Sequence, residues 1–184
     1  MKLVDALVAQ AKRRQRRERK ITAMTIGALL FLIIIPLTIV YASLALNGVF
    51  GISLSLEPYN STFGLALIAI GLFFAGWAVW AQWNIGKGTP VPIVSTQKLV
   101  IVGPYAYCRN PMTFGVLLYY LGLILTVNAL SGVIIVFAIG ALLSLYIKLV
   151  EEKELELRFG KEYVEYKKKT PYLIPHPRKG RFRT

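Results

Sequence analysis

The chain is poor in the residues that most often build sites on their own. Its 184 residues include one cysteine, Cys108, and one histidine, His176. An internal disulfide is therefore excluded, the cysteine says nothing about redox compartment, and a structural zinc site lacks ligands. Acid is also scarce, with nine Asp and Glu against 22 Lys and Arg, for a net charge of +13. Most telling are the stretches with no charge at all. Ile21 to Leu46 runs 26 residues without one, and Thr62 to Trp83 is equally bare. Each exceeds the roughly 20 apolar residues needed to cross a bilayer, so a soluble globular domain is excluded.

What is present fits a multi-pass membrane protein. Trp77, Trp80 and Trp83 close the second run, where indoles favour the headgroup region. Met112 to Asn128 and Val133 to Tyr146 are shorter apolar runs separated by Ala129 to Gly132, and they read as two arms of a tight hairpin. Short arms cross with help from tilt or local thinning. The expected fold is all-α, with about four transmembrane helices.

The placement of the basic residues decides the orientation. Eight Lys or Arg lie in the first 20 residues, Lys87, Lys98 and Arg109 in the linker from Asn84 to Pro111, and eleven from Lys148 onward. The connections Asn47 to Ser61 and Ala129 to Gly132 have none. Under the positive-inside rule this predicts both termini in the cytoplasm, and it accounts for the charge without a nucleic-acid partner. The basic prelude and the first apolar run are both too long for a signal peptide, so an anchored span is expected. The tract Lys12 to Lys20 serves as a topology signal, and it sits where anionic headgroups lie.

The chain divides into a basic segment (1–20), two spans (21–83) and a core of loop, hairpin, C-terminal helix and tail (84–184). Pro36 inside the first span predicts a kink. The linker carries Gly86, Gly88, Pro90, Pro92 and Gly103-Pro104, so it is expected to be an ordered loop, extended around Leu99 to Val102. Long loops of this kind in compact proteins usually line or lid something. Leu155, Phe159, Tyr163 and Tyr166 recur at helical spacing and predict an amphipathic helix resting on the bilayer surface, interrupted at Gly160 and ended by Pro171. Glu154 with Arg158 and Glu165 with Lys169 have the favourable order for i,i+4 pairs. Tyr119 and Tyr120 read as aromatic packing, Cys108 as a small packing residue and His176 as exposed.

Two polar clusters flank the hairpin. "VGPYAYCRNP", residues 102–111, enters it and Glu151-Glu152 follows it. Because the hairpin returns to its starting side, the clusters are expected to meet at the cytoplasmic boundary. A carboxylate beside hydrocarbon is costly unless paired. Two readings stand even: a structural ion pair of Arg109 with Glu151 or Glu152, or a binding site. S-adenosylmethionine has a carboxylate for the arginine, an ammonium and ribose hydroxyls for the glutamates, and an adenine for backbone groups near Gly103. Other nucleotides satisfy much of the same set.

"GKGTPVPI", "LVIVGPYAYCRNPMTFG" and "EEKELELRFGKEYVEYKKKTPYLIP" resemble the successive signatures of the isoprenylcysteine carboxyl methyltransferase and phospholipid methyltransferase family, over about half the chain. That resemblance implies an integral membrane methyltransferase using S-adenosylmethionine, bound in a cytoplasmic pocket formed by the linker before the third span and the C-terminal amphipathic helix, and acting on a lipophilic acceptor, either the carboxylate of a prenylated cysteine-like compound or a lipid amine. It implies cofactor binding by Val102, Gly103, Pro104, Tyr105, Tyr107, Arg109, Asn110, Pro111, Glu151 and Glu152, with catalytic roles for Arg109, Glu151 and Glu152. Asn110 stands where the eukaryotic carboxyl methyltransferases have histidine, and Thr113 and Thr170 depart from the usual aromatic and basic residues. Asparagine donates and accepts hydrogen bonds but cannot become a cation, so prenylcysteine specificity is not carried over. Rival readings are a nicotinamide-dependent membrane reductase, since sterol reductases have a similar arginine-X-proline pattern, and a non-catalytic scaffold of the same fold.

Overall fold

A computed structural model describes residues 17–52, 58–89 and 96–176. The basic tract before Arg17, Glu57 in the first connection, Pro90 and Pro92 of the linker, and Pro177 in the tail lie outside the described residues. Helix α1 runs Arg17–Phe50 and α2 Tyr59–Asn84. A single 3-10 turn, Gly103–Ala106, leads to α3, Pro111–Thr126, which is followed by α4, Ser131–Phe159, and α5, Lys161–Lys169. No strand occurs among the described residues. α1, α2 and α4 are long and apolar enough to cross a membrane, and α3 is a shorter apolar helix. The linker before Gly103 is non-helical where described, as its glycines and prolines require.

α3 and α4 turn tightly at Asn128, which takes a positive φ of 57°, yet the most intimate neighbour of α3 is α2. A Cβ added at Gly71 would lie 2.5 Å from the Gly115 carbonyl oxygen, and one at Gly122 would lie 2.6 Å from that of Gly64. These pairs, seven residues apart on each helix, let the two backbones touch. That is the way helices associate in lipid, where no hydrophobic force separates them from the solvent. Ala75, Ala78 and Ala81 extend the buried small-residue seam toward the linker.

The proline in α1 is accommodated by a π-helical turn, Leu30–Ile34, directly before it. Pro36 has no N–H to give to the carbonyl four or five residues earlier. The Tyr120 hydroxyl donates to the Phe31 carbonyl at 2.8 Å and the Tyr119 hydroxyl to the Leu32 carbonyl at 3.0 Å, so the freed acceptors are satisfied from α3. The tyrosines do pack, as expected, but their hydroxyls also act as side-chain caps in the middle of a span. At the opposite end α1 meets α4 through Asn47. Its Oδ1 lies 2.6 Å from Ser131 Oγ, and its amide donates to the Asn128 carbonyl at 3.3 Å.

Two predictions follow from these contacts. Gly71→Ala forces α2 and α3 apart, costs about 1–3 kcal/mol of stability or more, and so lowers the yield and melting temperature of detergent-solubilised protein. Gly76→Ala, whose Cβ would meet nothing within 4 Å, leaves both unchanged. Tyr120→Phe bares the Phe31 carbonyl in an apolar setting and costs about 1–3 kcal/mol. In a Pro36→Ala background, where the N–H returns, the same change costs less, and a double-mutant thermal-melting cycle measures the difference.

Candidate functional site

The linker reaches the helix ends near Trp77 at Gly103, whose φ of +63° suits glycine. A side chain there would lie 3.4 Å from Trp77 Nε1 of α2, so the turn is seated directly on that indole. The 3-10 turn carries Tyr105 into the protein. Its hydroxyl accepts a hydrogen bond from Gln82 of α2, and its carbonyl accepts one from the Tyr166 hydroxyl of α5 at 2.7 Å. Burial, the largest cause, pushes the Tyr105 phenol well above the ordinary range, so it keeps its proton. Tyr166 is shifted the same way, again chiefly by burial. α5 is thus folded onto the site, with Tyr163 and Tyr166 each 3% exposed. The expectation that its apolar face rests on the bilayer is corrected: that face meets protein because Gly160, at φ +53°, ends α4 and reverses the chain.

The polar clusters meet as their topology predicts. Arg109 Nη1 lies 2.9 Å from Glu152 Oε1. The contact is at ion-pair distance but not aligned as a hydrogen bond, and Arg109 Nε and Nη1 remain buried without an acceptor among the described residues. The second oxygen of Glu152 lies 2.6 Å from Lys167 Nζ, which also reaches Glu156 at 2.9 Å. Hydrogen bonds to Glu152 and then Glu156 raise the Lys167 pKa. Glu152 therefore serves two cations. Glu151, its neighbour on α4, has no cationic partner among the described residues and faces the cavity that these groups surround.

That cavity is about 110 Å³. Of the residues expected from sequence, Tyr105, Arg109, Asn110, Glu151 and Glu152 line it together. Gly103, Pro104 and Pro111 shape the surrounding backbone without lining it, and both prolines are fully buried. Val102 and Tyr107 are about two-fifths exposed and stand outside the lining, the Tyr107 ring lying 6.0 Å from that of Trp77. Gln82, Tyr146, Arg158, Tyr163 and Tyr166 also line the cavity and were missed as site residues. Gln82 had a sequence signal, as an amide set among the tryptophans of an uncharged run.

The wall is tied down from two sides. Arg158 pairs with Glu154 at 2.9 Å, the expected i,i+4 contact, and also donates to the Thr96 carbonyl, holding the linker on α4. The tail runs back across the arginine-asparagine-proline motif. The Pro171 carbonyl accepts from the Arg109 N–H at 2.8 Å, the Tyr172 carbonyl accepts from the Asn110 amide at 2.9 Å, and the Tyr172 ring lies 5.6 Å from the Arg109 guanidinium. His176 donates its backbone N–H to the Tyr107 carbonyl while its side chain stays exposed. Cys108 is buried and its thiol is pushed up to about 11 by burial, which suits packing and not nucleophilic attack.

Thr89 and Thr96 both line the cavity, and residues 90–95 between them lie outside the described residues. The cavity is smaller than the 300–1,000 Å³ of sites that bury a drug-sized ligand. The chemistry of those walls is specific nonetheless. A guanidinium with unused donors suits a carboxylate, and an unpaired carboxylate suits an ammonium or hydroxyls.

The chain is similar to known proteins over the segment that carries these residues. Residues 59–162 match the family described as phospholipid methyltransferase. Among curated relatives, the protein-S-isoprenylcysteine O-methyltransferase of Saccharomyces cerevisiae is 39% identical over 89 residues, covering 45% of this chain and 37% of that protein. The enzyme of the same name from Mus musculus is 28% identical over 134 residues, 71% of this chain and 46% of its own. The chain spans less than half the length of these relatives. The family match contains α2, α3, α4, Arg109 and Glu151-Glu152 and leaves α1 outside. With more than half of its residues inside that match, the chain belongs to the phospholipid methyltransferase family.

Proposed function

We propose that this protein is an integral membrane methyltransferase that takes S-adenosylmethionine from the cytoplasm and passes its methyl group to a lipophilic acceptor arriving through the bilayer. The observation that supports it most directly is the buried Arg109 with unused donors beside an unpaired Glu151, in one cavity on the family's own segment. The basic residues at the inner ends of α1, α2 and α4 support cytoplasmic termini.

The residues fit the cofactor by donor type. Arg109 would hold its carboxylate, and Glu151 its ammonium or ribose hydroxyls. Tyr105 and the backbone around Gly103 would stand against the adenine. When bound, S-adenosylmethionine supplies an electrophilic methyl on a sulfonium. The chain contributes position, because the acceptor must approach in line with the departing sulfur. It also excludes water, through the tail over Arg109 and α5 over Tyr105.

The acceptor class sets what else is needed. A carboxylate acceptor and the sulfonium neutralise each other as the methyl moves, so a dry site favours the reaction. A lipid amine must lose a proton, and Glu151 is placed to accept it. Asn110, held through its amide by Tyr172, stays neutral in either case and keeps its carbonyl oxygen as an acceptor.

Calorimetric titration of detergent-purified protein with S-adenosylmethionine and S-adenosylhomocysteine is the direct test. Micromolar-range binding that Arg109→Ala abolishes is the expected result, and labelled methyl donor then identifies the acceptor. Absence of binding to folded protein, with binding of a nicotinamide nucleotide instead, sinks the proposal. The two glutamates separate by role. Glu152→Gln strips a buried partner from Arg109 and Lys167 and destabilises the apoprotein by about 3 kcal/mol. Glu151→Gln melts like wild type yet loses most of the thermal shift that S-adenosylhomocysteine produces.

A further inference from the structure

The inner half of α1 stands off α2, and the space between them is apolar. Near the inner ends a hollow of about 470 Å³ is lined by Ile21, Met24, Val79, Trp80, Trp83 and Asn84. A second hollow of about 270 Å³ shares Met24, Gly76 and Val79 with it and runs deeper, to Phe31, Leu72 and Val116. Together they form one cleft. From Asn84 to Leu72 it covers twelve residues of helix, about 18 Å at 1.5 Å per residue, close to the roughly 15 Å of hydrocarbon in one leaflet.

Two further features bear on what fills it. Gly64 and Gly71 of α2 are held against the α3 backbone, but Gly76 is not, since a Cβ there would meet nothing within 4 Å. Helix packing does not require glycine at this position, and its effect is to keep the cleft wide. Just beyond the mouth, Lys20, next in sequence to Ile21 of the lining, donates to the carbonyl of the exposed Lys87, which brings these two lysines together at the end of the hollow nearest Asn84. Neither lysine has a carboxylate within ion-pair distance among the described residues. An apolar slot one leaflet deep, with indoles and two unneutralised ammonium groups at headgroup level, has the shape and charge of a negatively charged lipid.

We propose that the cleft between α1 and α2 holds one acyl chain of an anionic phospholipid from the leaflet on the cavity side, its phosphate on Lys20 and Lys87. Because one of its walls, α1, lies outside the family match, the proposal does not depend on the methyl-transfer reading. The bound chain would join α1 to α2 where the two helices do not otherwise pack.

The test is tryptophan quenching of detergent-solubilised protein titrated with brominated phosphatidylglycerol or brominated phosphatidylcholine in mixed micelles. The expected result is saturable quenching at one lipid per chain, with an affinity about thirtyfold higher for phosphatidylglycerol, as two lysines near a headgroup predict. Gly76→Leu, whose Cβ would meet nothing within 4 Å, puts its side chain into the slot and removes the saturable component for both lipids, while its melting temperature without added lipid stays that of wild type. Lys20→Gln with Lys87→Gln keeps the saturable component and loses the headgroup preference. Non-saturating quenching equal for the two headgroups, the mark of bulk annular lipid, overturns the proposal. So does saturable quenching that Gly76→Leu leaves intact, or a headgroup preference that survives in the double lysine variant.

Discussion

The close contact of α2 with α3 is the constraint on which the rest depends. With Gly64 facing Gly122 and Gly71 facing Gly115, the helices are locked in register along the bilayer normal. That register sets the height at which α3 begins, and therefore the height of Arg109 and Asn110 just ahead of it. It also brings Gln82 and Trp77 of α2 level with Tyr105 and Gly103. Larger residues at the contact would leave room for sliding, and a slide of one residue moves these groups by about 1.5 Å, half a hydrogen-bond length. Polar groups at a membrane boundary tolerate such errors poorly, since water is not there to repair them.

Charge is the second level of organisation. Five carboxylates lie in the last turns of α4 and the start of α5: Glu151, Glu152, Glu154, Glu156 and Glu162. Three of them are spoken for, Glu152 by Arg109 and Lys167, Glu154 by Arg158 and Glu156 by Lys167. Such pairing allows an acidic helix end to sit against apolar tyrosines. It leaves Glu151 as a carboxylate turned into the cavity without a cation of its own among the described residues. A π-helical turn, Ile147–Glu151, falls in the same place, and π turns shift side chains around the helix relative to an α register, often at functional sites. Here the shift sets Glu151 and Glu152 on their separate duties.

Much of this was legible in the sequence where the physics is local. Uncharged runs of bilayer length need no tertiary information, nor does the interruption at Gly160 or the pair Glu154–Arg158. The meeting of Arg109 with the acidic pair followed from the return of a hairpin. What stayed hidden depended on partners far apart in the chain. Glycines seven residues apart in two different helices become meaningful only when the helices are laid side by side. The apolar stripe of α5 is the same pattern for a bilayer surface as for a protein groove, and only the reversal at Gly160 chooses between them. The tail over Arg109 carries no hydrophobic signature at all, because it is held by backbone carbonyls of Pro171 and Tyr172.

α1 stands apart from this scheme, and the way it is attached explains why. Its outer half is fastened by the Asn47–Ser131 hydrogen bond. Its middle is fastened by the hydroxyls of Tyr119 and Tyr120 on carbonyls that Pro36 leaves free. The inner half, Arg17–Leu29, has only two buried residues, Ala23 and Gly27. A helix pinned at the outer end and middle but loose at the inner end encloses a wedge of apolar space with its neighbour. Leaving such a wedge empty would forfeit dispersion contacts along both walls, and the bilayer supplies chains of the right length to fill it. Proline, tyrosine caps and cleft thus lie along one helix: the tyrosines on α3 satisfy the carbonyls at the break before Pro36, and the space beside α2 stays open on the N-terminal side of it.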